Sequence, residues 1–313
     1  TYVDPDMWAP VTGYSNPVLD SRTGIEQAMN AELSGTSGTA FFQRIEQMIS
    51  GQKPRGSSVV LSLDATVQRA AYEALGDLEG AVVAIEPATG RILALVTSPS
   101  FDTNLLASHD TTLVNDTFAE LDADPLRPLI NRTLKTLNPP ASTFKLVVAA
   151  AALDSGKYTP ESTFPNPPTW VLPGTTTSIS NYQGDTCGGA ETATLATALK
   201  LSCNIPIAQL AVELGDDAIR EAAEKFGFNH EFALPLTSAI SVFDSGLDDA
   251  QTALSGFGQA DVTATPLQVA LISAGIANDG VLMNPRMVDR VIGPDLSVQQ
   301  SFENTEFGRA LEK

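Results

Sequence analysis

Along this chain the hydrophobic positions change period several times, and each change predicts an element. Val59, Leu61 and Leu63 alternate with Val60 and Ser62 as a short strand. Asp64 then reads as an N-cap, and Val67, Ala70, Ala71, Ala74 and Leu75 recur at helical spacing until Gly76. Residues 80–101, GAVVAIEPATGRILALVTSPSF, place two β-rich runs, 81–85 and 92–96, around a Pro-Ala-Thr-Gly turn, which predicts a hairpin. From about 104 to 285 helical patterns dominate, broken by Pro/Gly/Thr loops such as PNPPTWVLPGTTTSIS. Residues 1–56 differ: they are rich in Gly, Ser, Thr and Asn and carry two short helical patterns, 23–33 and 41–49. The Gly and Pro of GQKPRGSS (51–58) read as a linker, so a boundary is expected near 56. Helix, hairpin and long helical insertion together point to an α+β fold.

One position breaks the pattern. Residues 138–156 read NPPASTFKLVVAAAALDSG, and Lys145 opens a run that otherwise describes a buried helix. An unpartnered ammonium costs several kcal/mol to bury. The prolines fix the helix start near Ser142, and Ser142 and Lys145, three residues apart, share one face. Desolvation lowers a lysine's pKa, and a neutral amine can take a serine's proton. The helix N-terminus also favours negative charge developing near Ser142. The plainer alternative makes Ser142 an N-cap and lets Lys145 reach water along its stem. S-x-x-K alone is weak: Ser50 and Lys53 form a second copy, with Pro54 next to it and no apolar helix after it, read as chance. Further on, LSCNIPIAQLAVELG holds Ser202-Cys203-Asn204 ahead of another apolar helix. Taken alone it is a turn or a cap. Beside a neutral lysine, Ser202 can relay a proton, and Asn204 can hold the amine and a substrate amide.

Composition narrows the field. Of 313 residues 43% are hydrophobic, enough for a sizeable core. With 18 Lys+Arg against 37 Asp+Glu the net charge is −19, which repels nucleic-acid phosphates and anionic lipid headgroups. The longest uninterrupted apolar run, Leu146 to Leu153, is eight residues, too short for a span of roughly 18–20. The two histidines lie far apart, without metal-ligand spacing, so no metal is expected. Cys187 and Cys203, 16 residues apart, are two free thiols or one disulfide; spacing does not choose.

The combination S-x-x-K then S-x-N belongs to the set found in penicillin-binding proteins and class A β-lactamases. NPPASTFK resembles the family's Y-P-P-G-S-T-F-K, with Ala141 where glycine is usual. GAVVAIEPATGRILALVTSPSFDTN and GQADVTATPLQVALISAGIANDGVLMNPRMV resemble further family stretches. With DPDMWAPVTGY at the start and SCN later, the sequence is similar to class B penicillin-binding proteins of the actinobacterial kind.

That resemblance implies an antiparallel sheet with a large helical subdomain. Residues 1–56 would be an N-terminal pedestal or interaction segment and 57–313 the transpeptidase domain. It implies Ser142 as the acylated nucleophile, Lys145 as its base, Ser202 and Asn204 as the second motif, and no cofactor. The substrate would be the D-Ala-D-Ala end of a peptidoglycan stem peptide, with β-lactam antibiotics as mimics and a membrane glycan polymerase as a possible partner. The place of work would be the outer face of a bacterial cell membrane. A β-lactam-binding sensor and an inactive wall-assembly scaffold are the alternatives. The E-x-x-L-N motif of class A β-lactamases is absent after Asn204; Glu213, Glu221 and Glu224 do not fit it. An oxidising location favours a Cys187–Cys203 disulfide, worth roughly 3 kcal/mol in the chain-entropy picture. The family's K-T-G motif is missing: Lys135-Thr136 is followed by Leu137, upstream of Ser142. The last residues, TEFGRALEK, read as a polar helix without a further strand. The expectation is a native chain that continues, and a 81–96 hairpin left with an open, hydrophobic edge.

Overall fold

A computed structural model describes residues 1–36 and 55–312. The helical pattern at 41–49, the Ser50/Lys53 pair and the first half of the 51–58 linker, 51–54, lie outside the described residues. The chain divides into two compact units, 1–136 with 232–238 and 284–305, and 137–231 with 239–283 and 306–313.

The first unit is built around the hairpin. Strands Gly80–Ile85 and Ile92–Ser98 pair antiparallel, Val82 opposite Val96, and the second strand is buried almost throughout. Among the described residues no third strand pairs with it. A helix, Ala65–Leu75, packs on the hairpin. Asp64 caps it, accepting from the N–H groups of Thr66 and Val67 at 2.8 and 3.1 Å, and these bonds hold its carboxyl below the usual aspartate range. Gln68 is the polar residue on the buried face. Its amide is fully used: Leu95 N–H donates to Oε1 at 2.8 Å, and Nε2 donates to the carbonyls of Met7 and Leu95, both at 3.0 Å. A second sheet takes strands in the order Val298–Ser301, Val288–Ile292, Ser58–Leu61, all antiparallel. The 23–33 pattern forms two short helices, Gly24–Ala28 and Asn30–Leu33.

The second unit holds the helical core. Helices Lys145–Asp154, Asn204–Leu214, Asp216–Lys225 and Pro266–Ala277 contribute to one apolar cluster with Phe164, Phe226, Phe228 and Phe243. Two sequence expectations are overturned here. The stretch taken as a loop contains a hairpin, Thr169–Val171 with Ser178–Ser180, because Trp170 and Ile179 find an apolar seat against Leu172, Ala208, Ala250 and Ala253. The final residues are not a helix: Glu306–Arg309 is a strand paired antiparallel with Val281–Met283, and Ala310 is buried in the core. Strand pairing and burial outweigh a polar pattern that fits a helix only weakly. No helix among the described residues is long and apolar enough to cross a membrane.

Gln68→Leu keeps the volume but strands the Leu95 N–H and two buried carbonyls. It is expected to lower the unfolding free energy by about 2–3 kcal/mol, read as a lower urea midpoint at unchanged m-value.

Candidate active site

Pro139 and Pro140 end any preceding helix, and the chain then enters a 3-10 turn, Ala141–Phe144, that runs into the Lys145–Asp154 helix. Phe144 anchors this turn. It is fully buried, stacked on Phe243 with ring centres 5.6 Å apart and edge-on to Phe228 at 5.5 Å. Ser142 is exposed, and among the described residues its hydroxyl makes no hydrogen bond, so it does not act as a cap.

The segment 258–264 holds the other side of the turn. Asn138 and Ala264 exchange two backbone hydrogen bonds, at 3.0 and 2.8 Å, and the Ala141 N–H donates to the Gly258 carbonyl at 3.0 Å. Gly258 has φ +72, and a Cβ there would lie 2.2 Å from the Ala141 carbonyl oxygen. Only glycine meets both demands. Ala141 itself is left-handed, φ +50. This accounts for the family's glycine at that position; alanine there carries a strain of about 1 kcal/mol.

Lys145 does not reach water; it is 2% exposed. Its Nζ donates to the Ser202 carbonyl at 2.7 Å and to Asn204 Oδ1 at 2.8 Å, and lies 3.1 Å from Ser202 Oγ. Every one of these partners is neutral. Burial pushes the Lys145 pKa down to about 8. The S-x-N turn therefore meets the S-x-x-K turn through the lysine, across a sequence separation of 57 to 59 residues. Ser202 is exposed and left-handed, φ +57, a conformation that needs outside support. Part of that support is covalent: Cys203, fully buried, is joined to Cys187 in a disulfide.

Ser142 opens into a cleft of about 550 Å³, lined by Ala141, Ser178, Ile179, Ser180, Asn204, Leu254, Phe257, Gln259 and Ala260. Among the described residues no carboxylate lines it. Glu213 accepts from the Tyr158 hydroxyl at 2.8 Å, Glu221 pairs with Lys225 at 3.6 Å and Glu224 with Arg220 at 3.3 Å. Among the described residues no group of three His, Cys, Asp or Glu could hold a metal.

Residues 80–307 match the family described as the penicillin binding protein transpeptidase domain. The chain belongs to the penicillin-binding protein transpeptidase family. Residues 1–59 match a second family, the penicillin binding protein A dimerisation domain. Among relatives of this transpeptidase family, the chain is 39% identical over 302 residues to the peptidoglycan D,D-transpeptidase PbpA of Mycolicibacterium smegmatis, covering 95% of this chain and 61% of that protein. It is 30% identical over 286 residues to the peptidoglycan D,D-transpeptidase MrdA of Escherichia coli, covering 88% and 43%. Among solved structures, penicillin-binding protein A from M. tuberculosis, as its penicillin G acyl-enzyme, superposes with a TM-score of 0.97 at 38% identity, covering all of this chain and 73% of that one. The chain thus spans about three fifths of the length of its first curated relative. The α+β transpeptidase fold expected from the sequence is the fold observed.

Gly258 heads the G-Q-A-D stretch, but nothing along the sequence marks its close approach to Ala141. Nothing in PNPP or SISN marks Asn166 and Asn181 as buried asparagines.

Ala141→Gly removes the left-handed strain and should raise stability by roughly 0.5–1 kcal/mol. Gly258→Ala should cost at least ~2 kcal/mol, because the side chain would collide with rigid backbone. Chemical denaturation of both variants measures the two signs.

Proposed function

We propose that this chain carries the acylating centre of a peptidoglycan D,D-transpeptidase, with Ser142 as nucleophile, Lys145 as base, and Ser202 and Asn204 as the groups that hold and relay. The observation that carries this is the lysine: buried, surrounded by neutral oxygens, and one helical turn from a serine that faces an open cleft.

A neutral amine has two N–H bonds and one lone pair. The Ser202 carbonyl and Asn204 Oδ1 can only accept, so they take the two N–H bonds and leave the lone pair for a hydroxyl. Ser142 Oγ attacks the penultimate carbonyl of a stem peptide ending in D-Ala-D-Ala, and its proton passes to Lys145, directly or through Ser202. The tetrahedral intermediate expels the terminal D-Ala, whose nitrogen receives that proton. The amine of a neighbouring stem then attacks the ester. It loses a proton to the same base, and the Ser142 hydroxyl is restored. A β-lactam enters by the first step, its ring opening in place of the peptide bond. Among the described residues no carboxylate lines the cleft, so none of them can activate water as a base of that kind, which favours a long-lived ester over hydrolysis.

Residues 1–56 fit a pedestal or interaction segment and 57–313 the transpeptidase domain; the dimerisation-domain match over 1–59 supports the first assignment. Work at the outer face of a cell membrane, and a membrane glycan polymerase as partner, follow from the same reading.

Intact mass after incubation with benzylpenicillin tests the nucleophile. One adduct is expected on the chain, and none on Ser142→Ala; an adduct on that variant would sink the assignment. Lys145→Ala should fold and acylate at least ~100-fold more slowly. Because the unprotonated amine is the base, the acylation rate should rise with pH through a midpoint near 8, not 10.5. A flat profile from pH 6 to 10 would refute the neutral base. Transfer from a thioester donor to an added D-amino acid separates a transpeptidase from a sensor, which would acylate without transfer.

A further inference from the structure

The Asn204–Leu214 helix begins without a cap of its own. Cys203, the residue ahead of it, makes no side-chain capping bond, since its sulfur is in the disulfide. The first N–H groups of a helix need partners. Here one distant side chain serves two of them. Asn181 Oδ1 accepts from the N–H of Asn204 at 2.9 Å and of Ile205 at 3.0 Å. Asn181 is 2% exposed, and its NH2 group is also engaged, donating to Asn166 Oδ1 at 2.9 Å. Asn166, fully buried, donates through Nδ2 to the carbonyls of Cys187 and Ala190, both at 2.8 Å, and its Oδ1 also accepts from the Cys187 N–H at 3.2 Å. Next to Asn181, the Ser180 carbonyl accepts from Asn204 Nδ2 at 3.1 Å. A carbonyl can only accept, so this contact fixes which end of the Asn204 amide faces Lys145.

We propose that Asn181 is a positioning residue for the acylation step: by capping the Asn204 helix from the hairpin side, it holds Asn204 Oδ1 and the Ser202 carbonyl on the two N–H bonds of Lys145. This rests on the assignment of Ser142, Lys145, Ser202 and Asn204 as the acylating group. Asn166 passes the constraint on to Cys187, so the disulfide and the paired asparagines bind the same turn from two sides. Removing the Asn181 amide orphans two helix N–H groups and frees the Asn204 backbone. Water then reaches Lys145, and the ammonium, better solvated, gives up its proton less readily.

Among the described residues no charged group contributes to the Lys145 shift. On the elements around the Lys145 helix, Lys225 lies against Asp154 and Glu221, Arg220 against Asp217 and Glu224, and Glu213 against Tyr158. The Lys145 shift comes from burial alone.

The test is the pH dependence of acylation by benzylpenicillin, followed by intact mass on the whole chain. In Asn181→Ala the midpoint should move up from about 8 toward 10.5. Below the midpoint the rate should fall about tenfold per unit of that movement and recover at high pH. A merely structural residue would lower the labelled fraction equally at all pH values and leave the midpoint in place; that result overturns the proposal. Should Asn181→Ala fail to fold, Asn181→Ser, which keeps one acceptor oxygen, is measured in the same way. Failure of both to fold would assign Asn181 to stability alone and also overturn the proposal. If the unaltered chain takes up no benzylpenicillin at Ser142, the acylation reading itself falls, and the two failures are thereby distinct.

Discussion

The site depends on a lysine side chain that the fold takes out of water and gives only neutral partners. A carboxylate beside Lys145 would hold it as an ammonium, useless as a base near neutral pH. Solvent would do the same. Three neutral contacts, two of them pure acceptors, satisfy the polar atom without favouring its charge as an anion would. Burial then pushes the proton affinity down. The cost of burying the group is borne by the helical core around Phe144, Phe228 and Phe243.

Holding such a group requires rigid neighbours, and the two turns that supply them both contain left-handed residues, Ala141 and Ser202. Neither conformation is comfortable for a residue with a side chain. Each is over-determined by its surroundings. Ala141 is pinned by the Gly258 carbonyl, and the chain just before it by the two bonds between Asn138 and Ala264. Ser202 is pinned on one side by the lysine and on the next residue by the disulfide. Backbone strain in these two turns is thus matched by glycine, cross-chain bonds and a covalent link at the adjoining residues.

The asparagine pair shows the same logic one layer further back. Two buried amides, Asn166 and Asn181, spend nearly all of their hydrogen-bonding capacity on backbone and on each other. A half-satisfied network of this kind would be costly, whereas a complete one fixes a loop in one arrangement. That arrangement places a hairpin strand against the S-x-N turn and shapes the wall of the cleft at Ser178, Ile179 and Ser180.

Much of this arrangement is legible along the chain. Local periods marked the Ala65–Leu75 helix with its Asp64 cap and the hairpin of Gly80–Ile85 and Ile92–Ser98, because cap chemistry and alternation are properties of neighbours in the chain. The oddity of a lysine opening an apolar helix, three residues after a serine, was legible for the same reason. Where the local signal was thin it misled: TEFGRALEK resembled a helix, and PNPPTWVLPGTTTSIS resembled a loop, yet both supply strands. The tertiary structure alone decided that Lys145 meets Ser202 and Asn204 rather than water, that Gly258 must lack a side chain, and that Asn181 caps a helix 23 residues away. A buried polar atom takes whatever partner the packed chain brings within about 3 Å, and no period or spacing along the sequence encodes which one that will be.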